Sequence, residues 1–123
     1  MSASLDERWV ELRYGEYERR RISDISASVW SRLRTDLDFV LPGGESLRAM
    51  GARVSEACEE LSEQARDRTV VVTTHVSPMK AAVAWALGVD LTIAWRCHLA
   101  YAAVCRIDFN ERGPMLVSFN EAQ

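Results

Sequence analysis

The chain has 123 residues, 48% of them apolar and 27% charged, with a formal net charge of −3. That is enough apolar material for one domain with its own core, and it excludes an intrinsically disordered chain. The 15 basic residues are interspersed among 18 acidic ones, which excludes a general nucleic-acid surface, and no apolar run has bilayer length or signal-peptide character.

In chain order, Ile22, Ile25, Val29 and Leu33 recur at helical spacing, with Ser23 and Asp24 near the start and Trp30 widening the face, which predicts an amphipathic helix over 22–34. A turn at Pro42-Gly43-Gly44 follows. Leu47, Met50, Val54, Cys58, Leu61 and Ala65 then keep a helical period to about Arg66, with Glu45 suited to the positive end of the dipole. Thr69 to Thr74 is β-branched and apolar at its centre, the pattern of a strand covered on both faces of a parallel sheet. The next helix is expected from Pro78, which needs no N–H at a first helical position, to Gly88. Leu91, Ala94 and Trp95 allow one or two helical turns. Tyr101 to Phe109 and Met115 to Phe119 alternate as strands of a hairpin across Asn110 to Pro114. Helix, helix, strand, helix, strand, strand is the order of an α/β domain, here without an opening strand.

His75 carries the most chemical information. It sits where the apolar run ends and the next helix begins, and a helix N-terminus offers unpaired N–H groups and partial positive charge to an anion such as phosphate. Taken alone, a histidine ending a strand is more often a hydrogen-bonded structural residue, and Glu11 alone is an ordinary solvated carboxylate. Arg19-Arg20-Arg21 reads as a solvated loop, and Cys97-His98 as a buried cysteine beside a satisfied histidine. The four tryptophans, Trp9, Trp30, Trp85 and Trp95, read as core and pocket wall. Cys58, Cys97 and Cys105 form an odd set without CxxC spacing, so neither a disulfide framework nor a structural zinc site is expected, and a reducing, cytoplasmic setting fits.

Four stretches occur together in order: Leu5 to Glu18, with Glu11-Leu12-Arg13-Tyr14-Gly15-Glu16 at its centre; Trp30-Ser31-Arg32-Leu33-Arg34-Thr35-Asp36; Pro42-Gly43-Gly44-Glu45-Ser46-Leu47; and Val70 to Lys80 around Thr74-His75-Val76-Ser77-Pro78. As an ordered set they resemble the histidine phosphatase superfamily, the phosphoglycerate mutase-like proteins, most of all its small phosphatases of the alpha-ribazole phosphatase type. The resemblance implies a three-layer α/β fold, a sheet flanked by helices, with residues 1–123 forming a single domain truncated at its N-terminus and missing its first strand. It implies hydrolysis of a small phosphomonoester in two steps. A histidine of an Arg-His-Gly motif attacks phosphorus, a carboxylic acid protonates the leaving oxygen, and a second histidine stabilises the phosphoryl group.

On this chain the resemblance makes His75 the second histidine and Glu11 the acid. Arg34 and Lys80 would bind substrate, and Val76 would contribute its backbone N–H. Acting as an acid near neutral pH would require the Glu11 pKa to rise, through burial or a nearby phosphate dianion. The family's chemistry implies no cofactor and no metal, and a small phosphorylated substrate or phosphate as the partner, with no nucleic acid or membrane. No Arg-His-Gly triplet occurs in the sequence, and Arg19 stands where the family usually has glycine. In the family the first strand lies beside the one ending at His75, so its absence is expected to expose Val70 to Val72 as an edge open to self-association. The alternative is a non-catalytic remnant that binds phosphate-bearing ligands or pairs with another chain.

Overall fold

The computed structural model describes residues 2–122. Three α-helices and one hairpin make up its regular structure: α1 (Ala27–Thr35), α2 (Leu47–Gln64), α3 (Val76–Leu87), β1 (Val104–Asn110) and β2 (Gly113–Glu121). Short 3-10 turns occupy Glu7–Trp9, Gly15–Tyr17, Ile22–Asp24 and Leu91–Arg96.

The first helix begins five residues later than its apolar spacing suggests. Ser26 is extended and its Oγ accepts the Val29 N–H, which satisfies an otherwise orphan donor and fixes the helix start there. Ile22 is consequently left 76% exposed, and Leu33 is the one buried residue of α1. The second helix matches its prediction. Ser46 caps it by accepting the Ala49 N–H at 3.0 Å, and Leu47, Met50, Val54, Ala57 and Cys58 form its buried stripe. α3 starts two residues before Pro78, which sits in the first turn where no intrahelical partner for its nitrogen is needed. It stops at Gly88 in left-handed conformation, as expected.

The core lies where α2 and α3 meet beneath the N-terminal segment: Leu12, Leu47, Met50, Val54, Cys58, Ala81 and Ala82 form one cluster, with Trp9, Tyr14, Trp85 and Ile107 packed on it. Alanines on the α3 side let the helices approach closely. β1 and β2 pair antiparallel with Asn110 opposite Gly113, so the turn is shorter than predicted, Glu111-Arg112, held by the Arg112 N–H on Asn110 Oδ1 at 2.8 Å.

The expected strand at Thr69–Thr74 needs the largest correction. It belongs to no ladder, and it is not covered on both faces: Val71 is 81% and Val72 36% exposed. The sequence has strand propensity there, but a strand forms only when a neighbour accepts its hydrogen bonds, and none of the described residues does so. No helix among the described residues is long and apolar enough to cross a membrane.

Candidate active site

Two segments deliver the predicted catalytic pair to one place. Leu12 is 3% exposed and anchors its neighbour Glu11, while α3 begins at His75 as its N-cap. Glu11, His75 and Val76 all line one groove of 1170 Å³. The Glu11 carboxylate accepts the Leu12 N–H at 2.7 Å through Oε1 and reaches the Ser77 N–H at 3.5 Å through Oε2. It therefore stands at the positive end of α3. The His75 side chain makes no capping bond and is exposed, so the imidazole is free beside the first amides of the helix. Burial pushes the Tyr14 phenol pKa up, and the Glu11 charge adds to the shift; a hydrogen bond with Ser77 opposes it.

The Glu11 segment is held by a device that sequence reasoning did not single out. Arg53 of α2 donates to the carbonyl oxygens of Arg8 at 2.7 Å, Val10 at 2.8 Å and Glu11 at 3.2 Å, and forms an ion pair with Glu45. Glu45 in turn accepts the Arg13 N–H at 3.1 Å, and its own N–H donates to the Arg13 carbonyl at 3.0 Å. Side-chain exposures of 14% for Arg53 and 12% for Glu45 make this a largely buried pair. Burial raises the Glu45 pKa, but the Arg53 hydrogen bond, the Arg13 N–H and both guanidinium charges outweigh it and hold the carboxyl below the ordinary carboxylate range. A signal was present in the sequence: Arg53 lies three residues after Met50 and one before Val54, on the edge of the buried stripe, where an arginine must find partners. Glu45 was expected to complement the α2 dipole, but Ser46 takes the cap and Glu45 faces Arg53.

The glycines explain why the Pro42-Gly43-Gly44 turn comes with Gly15. A Cβ on Gly15 would lie 2.1 Å from the Pro42 carbonyl oxygen, and one on Gly44 would lie 2.4 Å from that of Arg13. The backbones touch there, and the Glu16 N–H donates to Pro42 O at 2.8 Å. Arg19 has φ +69, the left-handed conformation that glycine adopts without penalty.

Arg34 and Lys80 gather elsewhere, on the Leu91–Arg96 turn. Lys80 Nζ donates to the Ala94 carbonyl at 2.8 Å, and the Arg34 guanidinium lies 5.8 Å from the Trp95 ring centroid. Neither lines the groove with Glu11 and His75. Cys97 is half-buried with Sγ 3.4 Å from the Ile93 carbonyl, and His98 is exposed rather than enclosed. Arg19, Arg20 and Arg21 are all exposed.

The model of the histidine phosphatase superfamily (branch 1) matches residues 1–122. A phosphoserine phosphatase 1 from Hydrogenobacter thermophilus is 36% identical over 78 residues, 63% of this chain and 37% of that protein. Among solved structures, a variant of an Entamoeba histolytica phosphoserine phosphatase in complex with phosphoserine superposes with a TM-score of 0.84 at 19% identity, covering 98% of this chain and 62% of that one. The alpha-ribazole phosphatase of Shigella flexneri gives 0.74 at 21%, covering 95% and 60%. The fold is shared across these proteins, and the chain spans less than two thirds of each.

Proposed function

Because the chain belongs to the histidine phosphatase superfamily, branch 1, we propose that it carries one half of a phosphomonoesterase site, working through a phosphohistidine on a histidine that lies outside the sequence given. The convergence of Glu11 and His75 at the start of α3, in one groove, supports this reading. His75 and the Val76 N–H would stabilise the phosphoryl oxygens, the more so because the helix end already favours negative charge. Glu11 would protonate the leaving oxygen. A phosphate dianion arriving beside it favours the neutral carboxyl, so the substrate itself prepares the acid. Arg34 and Lys80 would hold the rest of the substrate after leaving the Leu91–Arg96 turn. The setting is cytoplasmic, in keeping with free thiols at Cys58, Cys97 and Cys105.

The chain of 123 residues is proposed to be inactive by itself, since losing the residue that forms the covalent intermediate removes nearly the whole rate. The test is hydrolysis of p-nitrophenyl phosphate by this chain and by a version extended upstream in frame, each beside its His75→Ala variant. Activity in the extended form alone, abolished by His75→Ala, is expected. Turnover by the 123-residue chain that depends on His75 would overturn the claim of inactivity, and silence in a folded, extended form would overturn the enzyme reading. A second reading, a non-catalytic interaction module that associates through its open edge, is favoured by residues 69–74 making no backbone–backbone hydrogen bond among the described residues.

A further inference from the structure

Two of the free thiols, Cys97 and Cys105, lie on the arms of one tight turn. Ala103 donates its N–H to the Ala100 carbonyl at 3.3 Å and Ala102 takes φ +57, so the chain reverses over residues 100–103. Cys97 precedes this reversal and Cys105 follows it. Burial alternates along both arms: Cys97 and Leu99 are more enclosed than His98 and Ala100, and Cys105 more than Val104 and Arg106. Both thiols therefore point to the inner side of the turn.

The C-terminal strand holds the two arms together. Asn120 Oδ1 accepts the Ala100 N–H at 2.8 Å on one arm, and the next residue, Glu121, pairs with Val104 on the other. The thiols also sense each other. Burial pushes the Cys105 thiol up, the Asn120 N–H opposes that shift, and negative charge at Cys97 and Glu121 raises it further, an influence exerted by near neighbours. Cys58 belongs to another place: it is 6% exposed in the α2 stripe, and burial, with the charge of Glu59 adding to it, pushes its thiol up to about 12.

We propose that Cys97 and Cys105 form a reversible disulfide when the protein meets a peroxide, which makes this turn a redox-responsive modification site. The Cys97 thiolate attacks one oxygen of the peroxide; the O–O bond breaks, hydroxide leaves and takes up the thiol proton as water, and Cys97 becomes a sulfenic acid. The Cys105 sulfur gives up its proton and attacks the Cys97 sulfur; the S–S bond forms, the S–O bond breaks, and a second water leaves. The two sulfurs supply the two electrons that reduce the peroxide. Cys105 suits the second step, because its target is held beside it and no encounter with free oxidant is needed.

The Cys97 thiol donates to the Ile93 carbonyl at 3.4 Å in the reduced chain. Oxidation removes that donor and ties the end of the Leu91–Arg96 turn to β1 instead, at the turn whose Ala94 carbonyl holds Lys80. A bridge that forms transiently and is undone by thiols is the kind a reducing compartment permits. It requires neither phosphate nor turnover, and it stands or falls separately from the catalytic reading.

The test is treatment of the full chain with hydrogen peroxide, alkylation of the remaining thiols and mass mapping. Cleavage after Arg96 and Arg106 places Cys97 and Cys105 in one peptide and leaves Cys58 in another. Peptide 97–106 is expected to lose about 2 Da and to escape alkylation, and a further cut at Tyr101 should leave its halves joined until dithiothreitol is added. Cys58 should remain open to alkylation once the chain is unfolded. Closure should run at least about tenfold faster in the native chain than in denaturing urea, since the fold holds the thiols together. In Cys105→Ser the sulfenic acid at Cys97 lacks its partner and should be trapped by dimedone. Oxygen added to either thiol without joined halves, linked dimers as the main product, a bridge to Cys58, closure no faster than in urea, or no dimedone adduct in Cys105→Ser would each overturn the proposal.

Discussion

Two segments approach the same site and are held in opposite ways. The stretch from Arg8 to Gly15 is over-determined: Arg53 grips three of its carbonyls, Glu45 bonds Arg13 from both sides, and the Pro42 to Gly44 turn lies in backbone contact with Gly15. The stretch from Thr69 to Thr74 is under-determined: it takes part in no backbone–backbone hydrogen bond among the described residues and is tied down by the Thr74 hydroxyl on the Trp9 carbonyl. The difference shows which constraints this chain supplies for itself. Glu11 lies in a segment that Arg53 and Glu45 hold, whereas His75 follows a segment without a backbone–backbone hydrogen bond among the described residues.

The comparison can be broken first on its rigid side. Gly15→Ala places a methyl group 2.1 Å from Pro42 O at a φ of +60, with backbone on every side that would have to move. Overpacking and left-handed strain together are expected to cost about 5 kcal/mol, read as a loss of the urea transition or of expression as a folded chain. A variant that melts within a few degrees of the native chain would mean that the turn is free to shift.

Arg53→Met comes next. It removes the partner of a largely buried carboxylate and leaves three carbonyls without their donor, at a cost of about 3 kcal/mol. Its pH dependence is diagnostic. The folded pKa of Glu45 is depressed, so the pair's contribution is fully present above the unfolded value and is lost as pH falls through the folded one. The stability gap between native chain and variant should therefore narrow on acidification below the ordinary carboxylate range. An unchanged gap in urea titrations from pH 7 down to 3 would show that the pair is not the clamp.

Arg19→Gly should act in the opposite direction and more weakly. The residue already adopts φ +69, which costs an L-residue about 1–2 kcal/mol, part of it returned by the greater freedom of glycine when unfolded. A net gain of about 1 kcal/mol is expected in thermal or urea unfolding. A loss would assign Arg19 a contact that its exposed side chain does not show.

The ease with which these features could be read from sequence followed the range of the interactions behind them. α2 was legible because its stripe, its Ser46 cap and its length are all local. α3 and its stop at Gly88 were legible for the same reason. α1 was misplaced because Ser23, Asp24 and Ser26 are all chemically able to cap, and periodicity does not choose between them. Glu11 and His75 stand out in the sequence through motif order alone, and both line the same groove. The Arg53 clamp was missed because its partners are backbone carbonyls more than 40 residues away, which carry no sequence signature. The Thr69–Thr74 prediction failed because strand propensity describes a willing segment, and only a partner makes it a strand.

That last distinction yields the smallest expected effect and the sharpest contrast. Val71 lies at the centre of a run that reads as buried, yet its 81% exposure means that Val71→Ser should change stability by less than about 0.5 kcal/mol. Met50→Ala, at 0% exposure in the α2 stripe, should cost about 2–5 kcal/mol in the same urea titration. The two numbers separate a residue of the core from one whose apolar neighbours in sequence merely suggest a core. A Val71→Ser chain that is already destabilised by more than about 1 kcal/mol on its own would place that side chain in an existing core, and would remove the asymmetry between the two sides of the site.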